Sequence, residues 1–327
     1  MTGYSGERNT TARIGMGRGY GKTILIGDMF VYLGIPAIVA AIPQCTVAVV
    51  REGREQGWTL SDNRPEVPGY KEAKRGQQIR SISDILSWLG LSDRPGIRLE
   101  IELGGDLVAG SGIGASAASC VSIVRALNEK FSLGLSDDEV NYAAWRGEFA
   151  YHNKPSGIDN TASCFGGVLV FRQDSSTESN HIERLRLAAP VEAVLVNSGV
   201  TVDTAGKRAH IAAFERKDPT KFASYLELIT AQAAEMKGAL VRGDLRRVGE
   251  LMNENHRLLI EMDLSHPEIV RMARAAAEDG AWGAKVTGGG RGGYMLALTP
   301  GPELQDRVAD RFENEGYITL RTVIGAV

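Results

Sequence analysis

The sequence predicts a mixed α/β or α+β protein with room for two lobes. Three observations predict it. Segments of strand period alternate with segments of helical period along the chain. The length of 327 residues accommodates two domains of ordinary size. At 97–131 a strand, a glycine loop and an amphipathic helix follow one another without a break.

The elements read in order as follows. Lys22 to Ile26 is a short β-branched run, read as a strand. Residues 35–41 are apolar and fit either a strand or a buried helix, and 45–50 read as a strand. Asp62 to Gly69 holds Pro65, Pro68 and several charges, so it reads as surface loop. Over 79–89, Ile82, Ile85, Leu86 and Leu89 share one helical face. Ile97, Leu99, Ile101 and Leu103 then alternate with Arg98, Glu100 and Glu102, the period of a half-buried strand. After the glycine loop, Ala117, Cys120, Val121, Val124, Leu127 and Phe131 recur at helical spacing, with Gly134 as the stop. Ser136 and Glu139 make a capping box for a helix running toward Trp145 and Glu148.

Asp159 falls in a turn-rich stretch, 155–160, before an apolar strand over 165–171. Residues 172–183 are polar and serine-rich. The lobe boundary is placed there, giving lobes 11–178 and 179–327. Beyond it come a strand at 193–196 and a long helix over 219–240. Gly243 and Asp244 stop that helix and start the next, and Pro267 starts another. A glycine-dense segment at 285–293 leads into a strand at 294–298. A helix near 303–314 and a strand near 317–323 close the chain.

Composition narrows the function. A hydrophobic content of 43%, a charged content of 24% and a net charge of −3 describe a globular chain with no strong pull toward nucleic acid or anionic membrane. The apolar stretch at 35–42 is too short to span a bilayer. The first ten residues are polar, unlike a signal peptide, and read as a flexible tail. Cys45, Cys120 and Cys164 lie far apart, which argues against a disulfide framework or structural zinc. A cytoplasmic protein without nucleic-acid or membrane partners is expected.

The junction at Gly110-Ser111-Gly112-Ile113-Gly114-Ala115-Ser116 carries the chemistry. Glycines let the chain pass close to a phosphate, and the helix start supplies free N–H groups and the positive end of its dipole. A second segment, Gly21-Lys22-Thr23, ends like a Walker A loop. It is dismissed, because Met16 stands where that motif needs glycine and a strand follows where it needs a helix.

Phosphoryl transfer to an alcohol needs four groups: a phosphate cradle, oxygen ligands for Mg²⁺, a base and a cation. Gly110 to Ser116 offers the cradle, Ser116 and Glu148 the ligands, Asp159 the base and Lys22 the cation. Singly, each has a plainer reading: Ser116 as a helix cap, Glu148 as a surface acid, Asp159 as a turn former, Lys22 as an edge lysine. Their joint occurrence points to kinase chemistry.

With these residues in place, the chain resembles the GHMP kinase superfamily. Three motifs occur in order: Gly21 to Gly34, Gly110 to Ser116 with Ala117 and Ala118, and Lys285-Val286-Thr287-Gly288-Gly289-Gly290-Arg291-Gly292-Gly293. The likeness runs from about Arg13 to Val323. Within the superfamily it is most similar to the mevalonate kinases, through 62–70, 155–160, 165–167 and 246–255. The resemblance implies an α+β, two-lobed fold, with an N-terminal ribosomal-protein-S5-like lobe and a C-terminal ferredoxin-like lobe around one cleft. It implies ATP and Mg²⁺ as cofactors and a small-molecule acceptor, most simply mevalonate going to 5-phosphomevalonate, and it allows a homodimer. By position it makes Asp159 the base and Lys22 the group that orients the acceptor. Gly110, Ser111, Gly112, Ile113, Gly114, Ala115 and Ser116 would hold ATP, and Ser116 and Glu148 the metal. Asp28, Met29, His152, Thr204, Gly289 and Gly290 would line the acceptor.

Three positions depart from the family pattern. Gly27-Asp28-Met29 stands for the usual Gly-Glu-His, so the charge reaches less far and an imidazole donor is lost. Asn153-Lys154 brings a charge close to the base. Ala109 replaces a proline before the phosphate loop. The first two touch the acceptor side and leave an alternative acceptor open: another small hydroxy acid, an amino alcohol or a sugar. A non-catalytic metabolite sensor is a third reading. Elsewhere, His210, His256 and His266 are expected as surface or satisfied core groups, Trp145 and Trp282 as packing residues, and Arg291 as either a phosphate contact or a brace.

Overall fold

The computed structural model describes residues 13–92, 94–174, 180–200 and 204–327. The polar tail expected at the start lies outside them. The fold is α+β with two sheets, one in each lobe.

The first sheet is built on β1 (Gly15–Ile26) and β2 (Ala37–Glu52), a long antiparallel pair. The two segments expected at 35–41 and 45–50 are one strand. Tyr20 pairs with Cys45 and Gly21 with Ile42, so Pro43 and Gln44 sit in a bulge. Proline has no N–H to give the ladder and is tolerated there. β3 (Gly57–Asp62) joins β4 (Arg98–Gly105) in parallel, and β4 runs along Thr46–Glu52 of β2. β5 (Val168–Gln173) takes the other part of the same β2 edge, Ala37–Ala40, and β6 (Asn180–Leu185) closes that side. β6 therefore belongs to the first sheet although it follows the expected boundary at 178/179. It is a polar edge strand, and only its ladder with β5 reveals it.

α1 (Tyr70–Trp88), α2 (Ala115–Phe131), α3 (Asp137–Glu148) and α4 (Ile158–Phe165) cover this sheet. α2 lies directly on β1. β-Carbons at Gly15, Gly17 and Gly19 would stand 1.9, 2.1 and 2.2 Å from the carbonyl oxygens of Ala126, Ser122 and Ala118, so side chains there would lift the helix off. The helix stops at Phe131 with Ser132 in the left-handed region, two residues before the expected stop at Gly134. The capping box of Ser136 and Glu139 forms as predicted. One expectation is corrected. Asp159 lies in the first turn of α4, where a turn before a strand was expected, because Gly157 at φ 88° starts a short helix.

The second lobe carries β7 (Val191–Asn197), β8 (Gly283–Thr287), β9 (Tyr294–Leu298) and β10 (Thr319–Ile324), antiparallel in the order β10-β7-β9-β8. Its helices are α5 (Thr204–Lys217), α6 (Pro219–Arg242), α7 (Leu245–Glu261), α8 (Pro267–Glu278) and α9 (Pro302–Asn314). Gly243 ends α6 in the left-handed region and the Asp244 carboxylate caps α7. α5 and β8 carry no clear period in the sequence and were not anticipated as elements.

The lobes share a core. Leu25 and Ile26 of β1 pack in one cluster with Leu195, Leu296 and Leu298 of the second sheet and Met236 and Leu251 of its helices. Polar ties cross the same seam. The Thr287 hydroxyl on β8 accepts from the Ile24 N–H (2.8 Å) and donates to the Ile24 carbonyl (3.1 Å). Asp28, just past β1, pairs with Lys285 of β8, and both side chains are fully buried. Burial draws the Lys285 ammonium below its usual range, and Asp28 opposes that shift. Among the described residues no helix is long and apolar enough to cross a membrane.

Removing one partner of a buried pair strands the other charge. Asp28→Asn is expected to lower unfolding stability by about 3–5 kcal/mol, while Asp28→Leu with Lys285→Met costs much less. Urea denaturation checks both.

Candidate active site

β1 brings the first group into place. Lys22 sits near the middle of the strand, 4% exposed, and its own N–H donates to the Ile113 carbonyl (2.8 Å). That bond fastens the phosphate loop to the sheet. A β-carbon at Gly114 would stand 2.9 Å from Lys22 Cγ, so the lysine stem runs against the loop. At its far end Lys22 Nζ lies 3.1 Å from Asp159 Oδ1. The Asp159 side chain is 31% exposed and so remains reachable from the cleft.

α2 and α3 bring the second pair. The Ser116 hydroxyl lies close enough to the Glu148 carboxylate to favour its charged form, and the Glu148 side chain is only 2% exposed. Burial, followed by the charge of Asp159, pushes Glu148 up to about 8. Ser116, Cys120 and the charge of Lys22 oppose the shift. The causes are themselves geometric: Ser116, Glu148, Asp159 and Lys22 lie within electrostatic reach of one another. Ser116 is not the helix cap of the plainer reading. Gly114 at φ 84° takes that position.

The loop itself is a cradle. Gly110, Gly112 and Gly114 all have positive φ, and α2 begins at Ala115. The Ser111 hydroxyl is buried and has no partner within the described residues, a polar atom left for a ligand. The third glycine segment closes over this arrangement. A β-carbon at Gly288 would stand 3.2 Å from the Gly112 carbonyl oxygen and 3.6 Å from Lys22 Nζ. Two glycine loops and one lysine thus meet at a point.

The residues expected along the acceptor fall into different settings. Met29 is buried at φ 71°, a backbone region that non-glycine residues rarely occupy. Its thioether lies against Gly290, where a β-carbon would meet Met29 Cε at 2.5 Å. Asp28 is enclosed with Lys285 rather than facing open space. His152 Nε2 lies 3.8 Å from Glu148 Oε2, beside the carboxylate. Gly289 lies in the turn between β8 and β9, half-buried. Thr204 opens α5, and its side chain lies outside the described residues. Arg291 braces its loop through hydrogen bonds to the Asp263 carbonyl and carboxylate. The remaining histidines behave as structural groups: His256 is buried against Ser265 (2.8 Å) and His266 caps α8. Trp145 packs on Phe149 and donates to the Pro155 carbonyl.

Four residues at the site had no role in the sequence reading. Thr287 and Lys285 were seen only as parts of a glycine-rich motif. Arg64 lies in the segment 62–69 read as surface loop, and Tyr70 directly follows it. A lysine within the apolar run Ala284 to Val286 was the available signal for a buried pair.

Comparison with known proteins agrees with this geometry. The GHMP kinases N terminal domain matches residues 80–167, and the GHMP kinases C terminal domain matches 236–318. The crystal structure of L. major mevalonate kinase in complex with R-mevalonate superposes with a TM-score of 0.90 and 34% identity, covering 96% of this chain and 97% of that one. The chain belongs to the GHMP kinases. Among curated relatives, the mevalonate kinase of Pyrococcus furiosus is 28% identical over 89% of this chain and 90% of its own length. That of Thermococcus gammatolerans is 29% identical over 93% and 94%. This GHMP kinase is accordingly a phosphotransferase that takes ATP and a small-molecule alcohol.

The raised Glu148 pKa has a consequence for stability in the metal-free protein. A carboxyl whose folded value lies above its unfolded one favours folding at low pH. That contribution is complete below the ordinary glutamate value of 4.5 and vanishes as pH rises through about 8. Glu148→Gln is expected to flatten the stability profile between those limits. Denaturation of both proteins in chelator, from pH 5 to pH 8, measures it.

Proposed function

We propose that this kinase transfers the γ-phosphoryl group of ATP to the primary alcohol of mevalonate, giving 5-phosphomevalonate. The observation that carries the reading is the Lys22–Asp159 pair, 3.1 Å apart, at the mouth of a glycine loop that opens a helix. The names of the relatives and of the superposed structure favour mevalonate as acceptor.

In this reading the loop N–H groups and the Ser111 hydroxyl hold the phosphates in line with the acceptor. Asp159 takes the hydroxyl proton as the oxygen attacks phosphorus, and ADP leaves. Lys22, 3.1 Å from Asp159, orients that carboxylate and offers its positive charge to the oxygen that attacks. Positioning and fixed electrostatics supply most of the acceleration in this type of reaction. The donor set of Ser116 and Glu148 fits Mg²⁺: both are hard oxygen donors, already close together, with the carboxylate poorly compensated by its buried surroundings. When bound there, Mg²⁺ would offset the charge of the outer phosphates.

A second acceptor class is favoured by one observation. Met29 presents a thioether where an imidazole is usual, and it is wedged under Gly290. A polar acceptor loses a hydrogen-bonding partner there, a change that alters specificity strongly. Another small hydroxy acid, an amino alcohol or a sugar that places no hydrogen-bonding group against Met29 would be unaffected.

Purified protein with ATP and Mg²⁺ should convert mevalonate to a product heavier by one phosphoryl group. A panel of small alcohols that outcompetes mevalonate would select the second acceptor class. Asp159→Ala should cut turnover by about 10²–10⁴-fold while ATP still binds. Near-normal turnover would remove Asp159 from the mechanism. Ser116→Ala should raise the Mg²⁺ concentration needed for half-maximal rate, and an unchanged titration would contradict its role. Met29→His, a residue better suited to positive φ, should lower the KM for mevalonate and leave the KM for ATP unchanged.

A further inference from the structure

The segment from Asp62 to Gly69 reads as surface loop, yet together with Tyr70 it is sewn to the phosphate loop at both ends. On the entry side, the Ala109 N–H donates to the Pro65 carbonyl (2.8 Å) and the Val67 N–H donates to the Ala109 carbonyl (2.9 Å). The Tyr70 ring then lies against Gly110, where a β-carbon would meet it at 2.5 Å. On the exit side, Arg64 Nη1 donates to the carbonyl of Ala115, the first residue of α2 (3.2 Å). The cradle is thus bounded by contacts just before its first glycine and just after its last.

Arg64 is held for this purpose. It is 5% exposed, and its Nε and Nη2 donate to the two carboxylate oxygens of Asp62 (2.9 and 2.7 Å). Asp62 is fixed in turn. Gln78 Nε2 donates to its Oδ2 (2.7 Å), and Lys71 Nζ donates to its main-chain carbonyl (2.9 Å). One edge of the guanidinium therefore grips a clamped carboxylate while Nη1 reaches the helix start. No ammonium can make that set of bonds, because a lysine offers one point of charge instead of a planar fork.

We propose that Arg64 is a positioning residue of the nucleotide site, and that its fork rather than its charge keeps the phosphate loop in its binding shape. The physical reason is preorganisation. Loop N–H groups bind phosphate well only if they already point at it; otherwise part of the binding energy orders the loop. Arg64 acts through the Ala115 carbonyl. Through that contact it affects ATP, and the acceptor only weakly, since Lys22 and Asp159 approach from other elements. The proposal rests on the reading of Gly110 to Ser116 as the ATP site.

Calorimetric titration with ATP, together with separate KM values for ATP and mevalonate, tests it. Arg64→Lys keeps the charge and should weaken ATP binding about tenfold, the loss expected for hydrogen bonds to a charged group. The KM for mevalonate should change less than about twofold by the same scale. Asp62→Asn should act in the same direction, and the double variant should add little to either, because the two residues work as one unit. Wild-type ATP affinity in Arg64→Lys overturns the proposal, as does an equal rise in both KM values. If Arg64→Lys does not fold, Asp62→Asn must show the same split. If neither folds, the pair is a requirement of the fold and the proposal falls. Failure of the unaltered protein to bind ATP would instead sink the ATP-site reading itself.

Discussion

Everything at the site hangs from the C-terminal half of β1. Over a few residues this strand hydrogen-bonds β2 along one edge, ties the phosphate loop through the Lys22 N–H, and receives the Thr287 hydroxyl from the other lobe. Its side chains work equally hard. Lys22 reaches Asp159, while Leu25 and Ile26 pack into the core that both lobes share. A strand with this many neighbours cannot shift by one residue without reversing which side chains face the cleft. The catalytic geometry is therefore set by ordinary sheet register and needs no special local strain, apart from Met29.

The burial of charge follows from the same constraint. Lys22, Lys285, Asp28 and Glu148 are all nearly inaccessible. Bringing two lobes together around a polar reaction forces some charge into the seam. Each such group either meets a partner or shifts toward its neutral form. Asp28 and Lys285 meet each other, which limits the fall that burial imposes on Lys285, and Glu148 shifts toward about 8. A carboxyl in that state is poised for a cation: what burial withholds, a bound positive charge restores.

Glycine serves three separate ends in this chain. Gly15, Gly17 and Gly19 let α2 lie on β1. The loop at 110–114 exposes backbone N–H groups. Gly288 and Gly290 let the third segment approach Lys22 and Met29. Read from its own residues, the loop at 110–114 after a clear strand announces a ligand, whereas Gly289 and Gly290 were tied to the acceptor only through the family resemblance. The other two ends are matters of close approach, visible only once the neighbouring elements are in place.

The sequence alone determined the family, the strand–loop–helix junction and the capped helix ending at Glu148, and it singled out Lys22, Ser116, Glu148 and Asp159, which the fold brings near one another. These are legible because periodicity and capping are local, and because phosphate binding at a helix start is written in consecutive residues. Tertiary structure decided the rest. It joined 37–52 into one strand around a bulged proline, placed Asp159 on a helix, and moved β6 into the first sheet. It also enclosed Asp28 with Lys285 and bonded the loop at 62–69 to both ends of the glycine segment at 110–114. Each of these depends on partners far away in the chain, Asp28 and Lys285 being 257 residues apart. No local pattern encodes such a meeting; it arises from packing two lobes against a single strand.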